Sequence, residues 1–321
     1  MLEYNIEIVK YIIIASLTVL LVPQITIKKR SFDTIIFALL TITLLVFTCF
    51  RDRTIGYDTD NYVNYFNEIG ENNLWTYMTL EPLYVVFNNL LYKVFPFSQA
   101  FLIVVGILTT VPICFFIYRR TGHYSVIGFI LFVFFNWESS MYLMRQYLAI
   151  FVCLINMGNV RRRKLIPFII LEVIAVLFHK SALVFIIIYP VNLLKYSKEL
   201  VFFTIGVSLL MVVFGNQLLQ LIDMITGYDY QSFGQGGGLY IYLLTIITAL
   251  LLLFVTNRIR PFYKKTMLIS ILISSLSLYM GMFYRVNLYF MVVIYVIYPC
   301  LFRDFLKSFR EPKRKIVKCE V

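Results

Sequence analysis

The first concentration of reactive side chains follows directly after the second apolar stretch of the sequence. Arg51, Arg53 and Asp58 occur there, Gly56 permits a tight backbone turn, and Tyr62 closes the segment. The planar guanidinium of arginine can bind two phosphate oxygens at once. The segment therefore predicts an anion-binding site, with a solvated loop whose charges pair internally as the alternative.

A third arginine, Arg145, is predicted about one turn inside an apolar span. A charged residue at that depth is costly unless it is paired or faces water. Glu138 lies seven residues earlier, which is two helical turns and so the same helix face if one helix covers both. The two interpretations are a buried Arg145–Glu138 clasp and an arginine that lines a hydrated cavity.

Two further segments place ionisable residues between apolar stretches. His179 and Lys180 form a short turn, where the imidazole could act as a general base, bind an anion or only cap a helix. Arg285 occurs where the tenth apolar stretch gives way to the eleventh, and Tyr289 shares its helix face. An arginine that snorkels within an aromatic belt is the structural alternative for Arg285.

Two weaker signals complete the set. Glu172 lies in the middle of an apolar stretch, which predicts either a buried polar partner or a transport path. The loop around Tyr228 mixes aromatic and amide side chains, a composition that suits contact with sugars.

The elements that must position these residues are predicted to be membrane-spanning helices. The chain is 60% hydrophobic with a mean hydropathy of +0.82, whereas soluble domains are about 45–50% apolar. We predict an all-α polytopic membrane protein with one transmembrane domain over residues 1–302 and a basic cytoplasmic tail over 303–321. The predicted spans are roughly 5–27, 32–50, 98–118, 124–137, 141–159, 164–178, 181–195, 199–221, 238–256, 266–281 and 286–302.

The distribution of charge predicts the topology. Most basic residues fall in short loops that alternation places on one side, which the positive-inside rule makes the cytoplasm. The net charge of +12 is therefore interpreted as topology and not as nucleic-acid binding. The N-terminus is expected outside and the C-terminus inside, which requires an odd count of about eleven spans, within a range of about 10–12. Leu80–Phe95 is too short to cross and is predicted to be a half-helix on the outer face.

The ends of the chain and its cysteines add two expectations. The N-terminus lacks the basic region and the cleavage site of a removable signal peptide, so the first span is expected to be retained. The five cysteines are scattered singly and predict neither a metal site nor a disulfide framework.

Several short motifs follow one another along the chain. They are an arginine followed by Gly56-x-Asp58-x-x-x-Tyr62, then Glu81-Pro82-Leu83-Tyr84, Arg145-Gln146-x-Leu148-Ala149, His179-Lys180-Ser181-Ala182 and Arg285-x-x-x-Tyr289. As a set they resemble the EpsG family of Wzy-like polymerases of bacterial capsules, exopolysaccharides and O-antigens, over about residues 45–290. Both Arg51 and Arg53 satisfy the arginine of the first motif.

The resemblance implies a GT-C-like polymerase in the bacterial cytoplasmic membrane, with its active site on the outer face. Such an enzyme would transfer a glycan from undecaprenyl diphosphate onto a lipid-linked repeat unit, with no metal or other cofactor. A chain-length regulator and a flippase are the implied protein partners. The alternatives are a flippase or transporter of lipid-linked oligosaccharide, a membrane ligase, and an acyltransferase that uses His179.

The resemblance and the chemistry together suggest a role for each candidate residue. The diphosphate would be held by Arg51 or Arg53, Arg145 and Arg285. The general base would be Asp58, His179 or Glu138. The residues expected to contact the sugars or the lipid-linked substrate are Tyr62, Glu81, Gln146, Lys180, Tyr228 and Tyr289.

Overall fold

A computed structural model of the chain describes residues 30–72, 77, 79–226, 238–254 and 259–310. The described residues form helices and connecting turns, with no strand among them. They separate into two compact units, residues Met1–Leu183 and Val184–Val321. The helical content agrees with the all-α prediction, while the single domain over 1–302 remains a prediction.

Unit 1 is built on apolar stretches that the sequence predicts as spans. Two shorter helices follow the span predicted at 32–50. Its helices are α1 (Arg30–Cys49), α2 (Thr59–Glu71), α3 (Pro82–Val94), α4 (Ser98–Thr121), α5 (Ser125–Phe132), α6 (Glu138–Tyr142), α7 (Met144–Arg161) and α8 (Leu165–Phe178). Helices α7 and α8 form a hairpin through a short turn, so the start of α7 and the end of α8 lie at the same end of the pair.

The core of unit 1 joins α2, α3, α4 and α7. Phe66, Tyr84, Phe101 and Met144 are fully buried within one apolar cluster, and Phe178 at the end of α8 packs against it. Burial of large aromatic side chains is a principal source of stability. This cluster fixes the ends of the helices that surround it.

The helical path between α4 and α7 is interrupted three times. Gly122 ends α4 with a φ of 55°, a conformation that glycine adopts at little cost. A π-helical turn over Val133–Trp137 separates α5 from α6. Leu143, with φ −100° and ψ 47°, separates α6 from α7. The backbone therefore starts a new helix just before Arg145.

A 3₁₀ helix over Lys180–Ile187 follows α8 in the chain. Unit 2 contains the remaining described α-helices. They are α9 (Ile188–Leu193), α10 (Lys198–Val213), α11 (Gly215–Thr226), α12 (Leu239–Phe254), α13 (Pro261–Leu276), α14 (Gly281–Met291) and α15 (Ile294–Arg310). Hydroxyl side chains link neighbouring helices, as in the 2.9 Å contact between Thr245 and Ser274 and the 2.8 Å bond from Ser270 to Asn287. Small and hydroxylated residues are typical of close helix contacts in membranes.

Several predicted spans have a different form in the structure. Two helical stretches, Ser31–Cys49 and Ser98–Tyr142, are long and apolar enough to cross a membrane, or up to four if each bent pair is one span. The predicted span 199–221 corresponds to α10 and α11, bent by 78°, and 286–302 falls within α14 and α15, bent by 56°. The count of about eleven remains a prediction.

Two helix boundaries also differ from the predicted ones. The span expected at 266–281 begins earlier, at Pro261, so Lys264 and Lys265 lie within the helix and are buried. Helix α15 continues to Arg310 and not to 302. Helix α3 has 13 residues, fewer than the roughly 20 that a span requires. Its length agrees with the predicted half-helix.

Candidate functional site

The carboxylate of Glu81 binds two side chains that the sequence marks as functional. Its Oε2 accepts a hydrogen bond from Arg145 Nη1 at 2.6 Å. Its Oε1 lies 2.9 Å from Nδ1 of His179. Glu81 is 5% exposed, while about a quarter of each partner's side chain remains accessible. A buried carboxylate thus holds two accessible basic groups side by side.

Each member of this cluster lies at the end of a helix. Glu81 precedes α3, where Pro82 at the first helical position favours the extended backbone of the residue before it. Arg145 is the second residue of α7, after the break at Leu143. His179 follows α8 in an extended conformation. Helix ends carry unsatisfied backbone groups and tolerate polar side chains, so three ends can meet around charged residues.

Two tyrosines flank Arg145. Its guanidinium carbon lies 5.6 Å from the ring centre of Tyr62 and 5.7 Å from that of Tyr84. The two rings are edge to face, with centres 6.2 Å apart. Aromatic faces attract a cation through their quadrupole. The tyrosines therefore hold the guanidinium beside Glu81 and limit its side-chain freedom.

The charges around Glu81 determine its protonation state. Burial acts to raise the pKa of Glu81, but the hydrogen bond from His179 and the charge of Arg145 outweigh it, and the pKa falls to about 2. Glu81 is thus ionised at neutral pH and can only accept hydrogen bonds. Nδ1 of His179 is then the donor to Glu81, which favours the neutral tautomer that has its lone pair on Nε2. In that state His179 can accept a proton at Nε2.

The structure distinguishes Arg51 from Arg53. Arg51 is 5% exposed and donates to the backbone oxygens of Thr48 and Met141. Arg53 is exposed and pairs with Asp60, and it donates to Asn64 at 2.8 Å. The guanidinium of Arg51 is therefore buried and bonded to backbone oxygens of the protein. The ion pair of Arg53 with Asp60 matches the alternative interpretation of this segment, a solvated loop whose charges pair internally.

The other two base candidates lie at the starts of two other helices. Asp58 precedes α2, and its charge acts on the hydroxyl of Tyr62 in the next turn. Glu138 begins α6, and the break at Leu143 interrupts the helix that was expected to place Glu138 and Arg145 on one face. The interpretation of Arg145 and Glu138 as a buried ion pair is therefore corrected. Arg145 forms its ion pair with Glu81, 64 residues away in sequence.

The remaining predicted substrate contacts divide by exposure. Lys180 is exposed next to His179, whereas Gln146 is buried in α7. In unit 2, Arg285 is exposed and Tyr289 is buried in α14. Tyr228 lies outside the described residues.

The sequence analysis assigned no role to two residues that the structure places beside predicted ones. Tyr84 lies three residues after Glu81, and this helical spacing on a short helix was the available signal. Asn156 donates to Glu172 Oε2 at 3.4 Å and to the backbone oxygen of Phe168 at 3.0 Å. It is the buried polar partner that the sequence could not identify.

Within the described part of the chain, no group of three or more His, Cys, Asp or Glu side chains is arranged to hold a metal ion. The cluster of Glu81, Arg145 and His179 offers a different chemistry. It combines a proton acceptor with a fixed cation beside it, a pair that suits transfer of a group from an anionic leaving group to a hydroxyl.

Comparison with known proteins bears on this chemistry. The EpsG family model matches residues 34–319, which include all the described members of the site. No curated protein and no solved structure matches the chain. The match covers most of the sequence, and the family suggests a polysaccharide-polymerase-like function. With its apolar helices, the chain is therefore a membrane protein that belongs to the EpsG family.

Proposed function

We propose that the protein is a polysaccharide polymerase that works at the outer face of the bacterial cytoplasmic membrane. It transfers a growing glycan from undecaprenyl diphosphate to the non-reducing end of a lipid-linked repeat unit. The observation that carries this proposal is the Glu81 carboxylate, bound at once by Arg145 and His179. Family membership supports the class of reaction.

In this reaction His179 acts as the general base. The acceptor hydroxyl attacks the anomeric carbon of the donor glycan, and its proton passes to Nε2 of His179. The ionised Glu81 holds the ring through Nδ1 and stabilises the imidazolium that forms. Since both oxygens of Glu81 already have protein partners, we assign Glu81 to orienting His179 and not to binding sugar.

Arg145 stabilises the leaving group. The bond between the anomeric carbon and the diphosphate oxygen breaks, and undecaprenyl diphosphate leaves with the charge that develops on that oxygen. Arg145 is a fixed cation beside the base, with Tyr62 and Tyr84 against its guanidinium. A cation held in place before the reaction contributes most where charge grows in the transition state.

The charge distribution along the sequence supports the outer face. The cytoplasmic side is predicted from basic loops such as Arg161–Lys164, which joins α7 to α8. Arg145 and His179 lie at the opposite end of this helical hairpin. The proposed site then faces the side on which a lipid-linked repeat unit is polymerised.

Substitution of Arg145 tests the proposal. In cells, Arg145→Ala should abolish polymer while single lipid-linked repeat units accumulate. The purified variant should not convert a lipid-linked unit into a ladder of longer products. Arg120→Ala is the matched control, because Arg120 is an exposed arginine at the end of α4 that also lies against an aromatic ring. Polymer of normal length from Arg145→Ala would refute the assignment.

The hydrogen-bonded pair of His179 and Glu81 also favours a second candidate, acyl transfer to the polysaccharide. A histidine held by a carboxylate can activate a hydroxyl for attack on an acyl carbon as well as on a sugar. His179→Ala separates the two functions. If the protein is a polymerase, His179→Ala makes no polymer. If it is an acyltransferase, His179→Ala makes polymer of normal length without its acyl groups.

A further inference from the structure

Arg51 connects the ends of two helices. Its Nη1 donates to the backbone oxygen of Thr48 in the last turn of α1. Its Nη2 donates at 3.0 Å to the backbone oxygen of Met141 in the last turn of α6. These carbonyls lie at C-termini, where the helix no longer supplies a donor and partial negative charge accumulates. A guanidinium can satisfy both at once because its donors form a planar fork.

The surrounding contacts join the same two helix ends. The hydroxyl of Thr59 at the start of α2 donates to the backbone oxygen of Ile55 at 2.7 Å and lies 3.4 Å from the backbone oxygen of Met141. Trp137 donates from Nε1 to the hydroxyl of Thr48 at 2.8 Å. Gln99 in α4 donates to the backbone oxygen of Cys49 at 2.5 Å. The end of α6 is therefore held mainly by Arg51, with the hydroxyl of Thr59 beside it. The end of α1 is held by Arg51, Trp137 and Gln99.

The turn between Arg51 and α2 packs closely on α6. Gly56 has a φ of 97°, and a Cβ placed on it would lie 2.8 Å from the hydroxyl of Thr59 and 3.4 Å from Cβ of Tyr142. The first motif of the family therefore lies against the last residues of α6. Those residues directly precede the break at Leu143 and the new helix that carries Arg145.

We propose that Arg51 is a positioning residue that acts through Arg145. By holding the oxygen of Met141, it fixes the end of α6, so that α7 starts in the orientation that brings Arg145 onto Glu81. This inference rests on the proposed function, in which Arg145 binds the diphosphate of the donor. It gives the arginine of the first motif a role that needs no contact with substrate.

A double-mutant cycle tests the inference, with binding of undecaprenyl diphosphate to purified protein in detergent as the readout. Arg51→Lys keeps the charge, but a single ammonium cannot bond both carbonyls in the same way. In the wild-type background this change should weaken binding about tenfold. In the Arg145→Ala background, where there is no guanidinium to position, the same change should alter binding by about twofold or less.

Two further variants keep the test decisive. Gln99→Ala is the matched control, because it removes a donor from the end of α1 and leaves the contacts of Arg51 and Thr59 with Met141 in place. It should bind undecaprenyl diphosphate like the wild type. If Arg51→Lys does not fold, Thr59→Val replaces it in the cycle. It removes the hydroxyl that bonds Ile55 and lies beside the oxygen of Met141, and it should show a weaker effect with the same dependence on Arg145.

The outcomes distinguish the inference from the function on which it rests. Equal losses from Arg51→Lys with and without Arg145 would overturn the positioning role and leave the polymerase proposal intact. If Arg51→Lys binds undecaprenyl diphosphate with wild-type affinity and only its melting temperature falls, Arg51 contributes to stability alone and the positioning role is wrong. Wild-type affinity of Arg145→Ala would refute the diphosphate role of Arg145 and the positioning role with it.

Discussion

Glu81 Oε1 and His179 Nδ1 lie 2.9 Å apart, although the two residues are separated by 98 positions in the sequence. The other oxygen of the same carboxylate binds Arg145. A single buried carboxylate thus sets both the tautomer of the histidine and the place of the arginine. The predictions below follow from that arrangement.

Removal of the charge of Glu81 should disable the site without changing its shape. Glu81→Gln can still contact Arg145 or His179, but it no longer fixes the proton on Nδ1 or stabilises the imidazolium. We expect the rate of polymerisation to fall by roughly 10²–10⁴-fold, the usual contribution of general acid–base catalysis. The measurement is single-turnover extension of a purified lipid-linked unit. Glu71→Gln, in an exposed carboxylate at the end of α2, is the control, and equal rates for both variants would contradict the role of Glu81.

The Glu81 cluster should also give a defined dependence of stability on pH. The pKa of Glu81 falls from 4.5 to about 2 in the folded protein through His179 and Arg145, against the effect of burial. Because the folded value is the lower one, its stabilisation is complete above the unfolded pKa and is lost as the pH falls through the folded pKa. The gap in melting temperature between the wild type and Glu81→Gln should be constant above about pH 5.5 and should shrink on acidification below about pH 4.5. A gap that widens in acid would contradict this sign.

The aromatic rings beside Arg145 should contribute to binding of undecaprenyl diphosphate through the contact of their faces with the guanidinium. Tyr84→Phe keeps the ring and should bind undecaprenyl diphosphate within about twofold of the wild type, whereas Tyr84→Leu should bind it about three- to thirtyfold more weakly. Tyr92→Leu is the matched control, since Tyr92 packs on Phe66 in the same core. Equal losses from Tyr84→Leu and Tyr92→Leu would mean that Tyr84 acts through packing alone.

Glu172 distinguishes a polymerase from a transporter. It is 4% exposed within α8, and its Oε2 accepts from Asn156. Glu172→Gln retains an acceptor for Asn156, so we expect polymer yield and melting temperature close to those of the wild type. Movement of a proton or a charged substrate past this position would instead require the carboxyl group. The measurement is the accessibility of the lipid-linked substrate at the outer face of intact cells. Loss of that accessible substrate in Glu172→Gln would favour the transporter.

The sequence by itself determined the helical membrane character of the chain and its family motifs, and it indicated Arg145 and His179 as candidate site residues. These follow from composition, from motif spacing and from the cost of charge in apolar stretches, all of which are properties of the chain before it folds. The extent of α3 was also predictable, because Pro82 and the short apolar run define it locally.

Only the tertiary structure decided which residues meet. Spacing along one helix suggested Glu138 as the partner of Arg145, but the break at Leu143 interrupts that register and the packing of α3 supplies Glu81 instead. Arg51 and Arg53 fit the motif equally well, and burial separated them because the ends of α1 and α6 meet around Arg51. Periodicity constrains neighbours on one helix, whereas contacts between helices depend on side chains that lie far apart in the sequence.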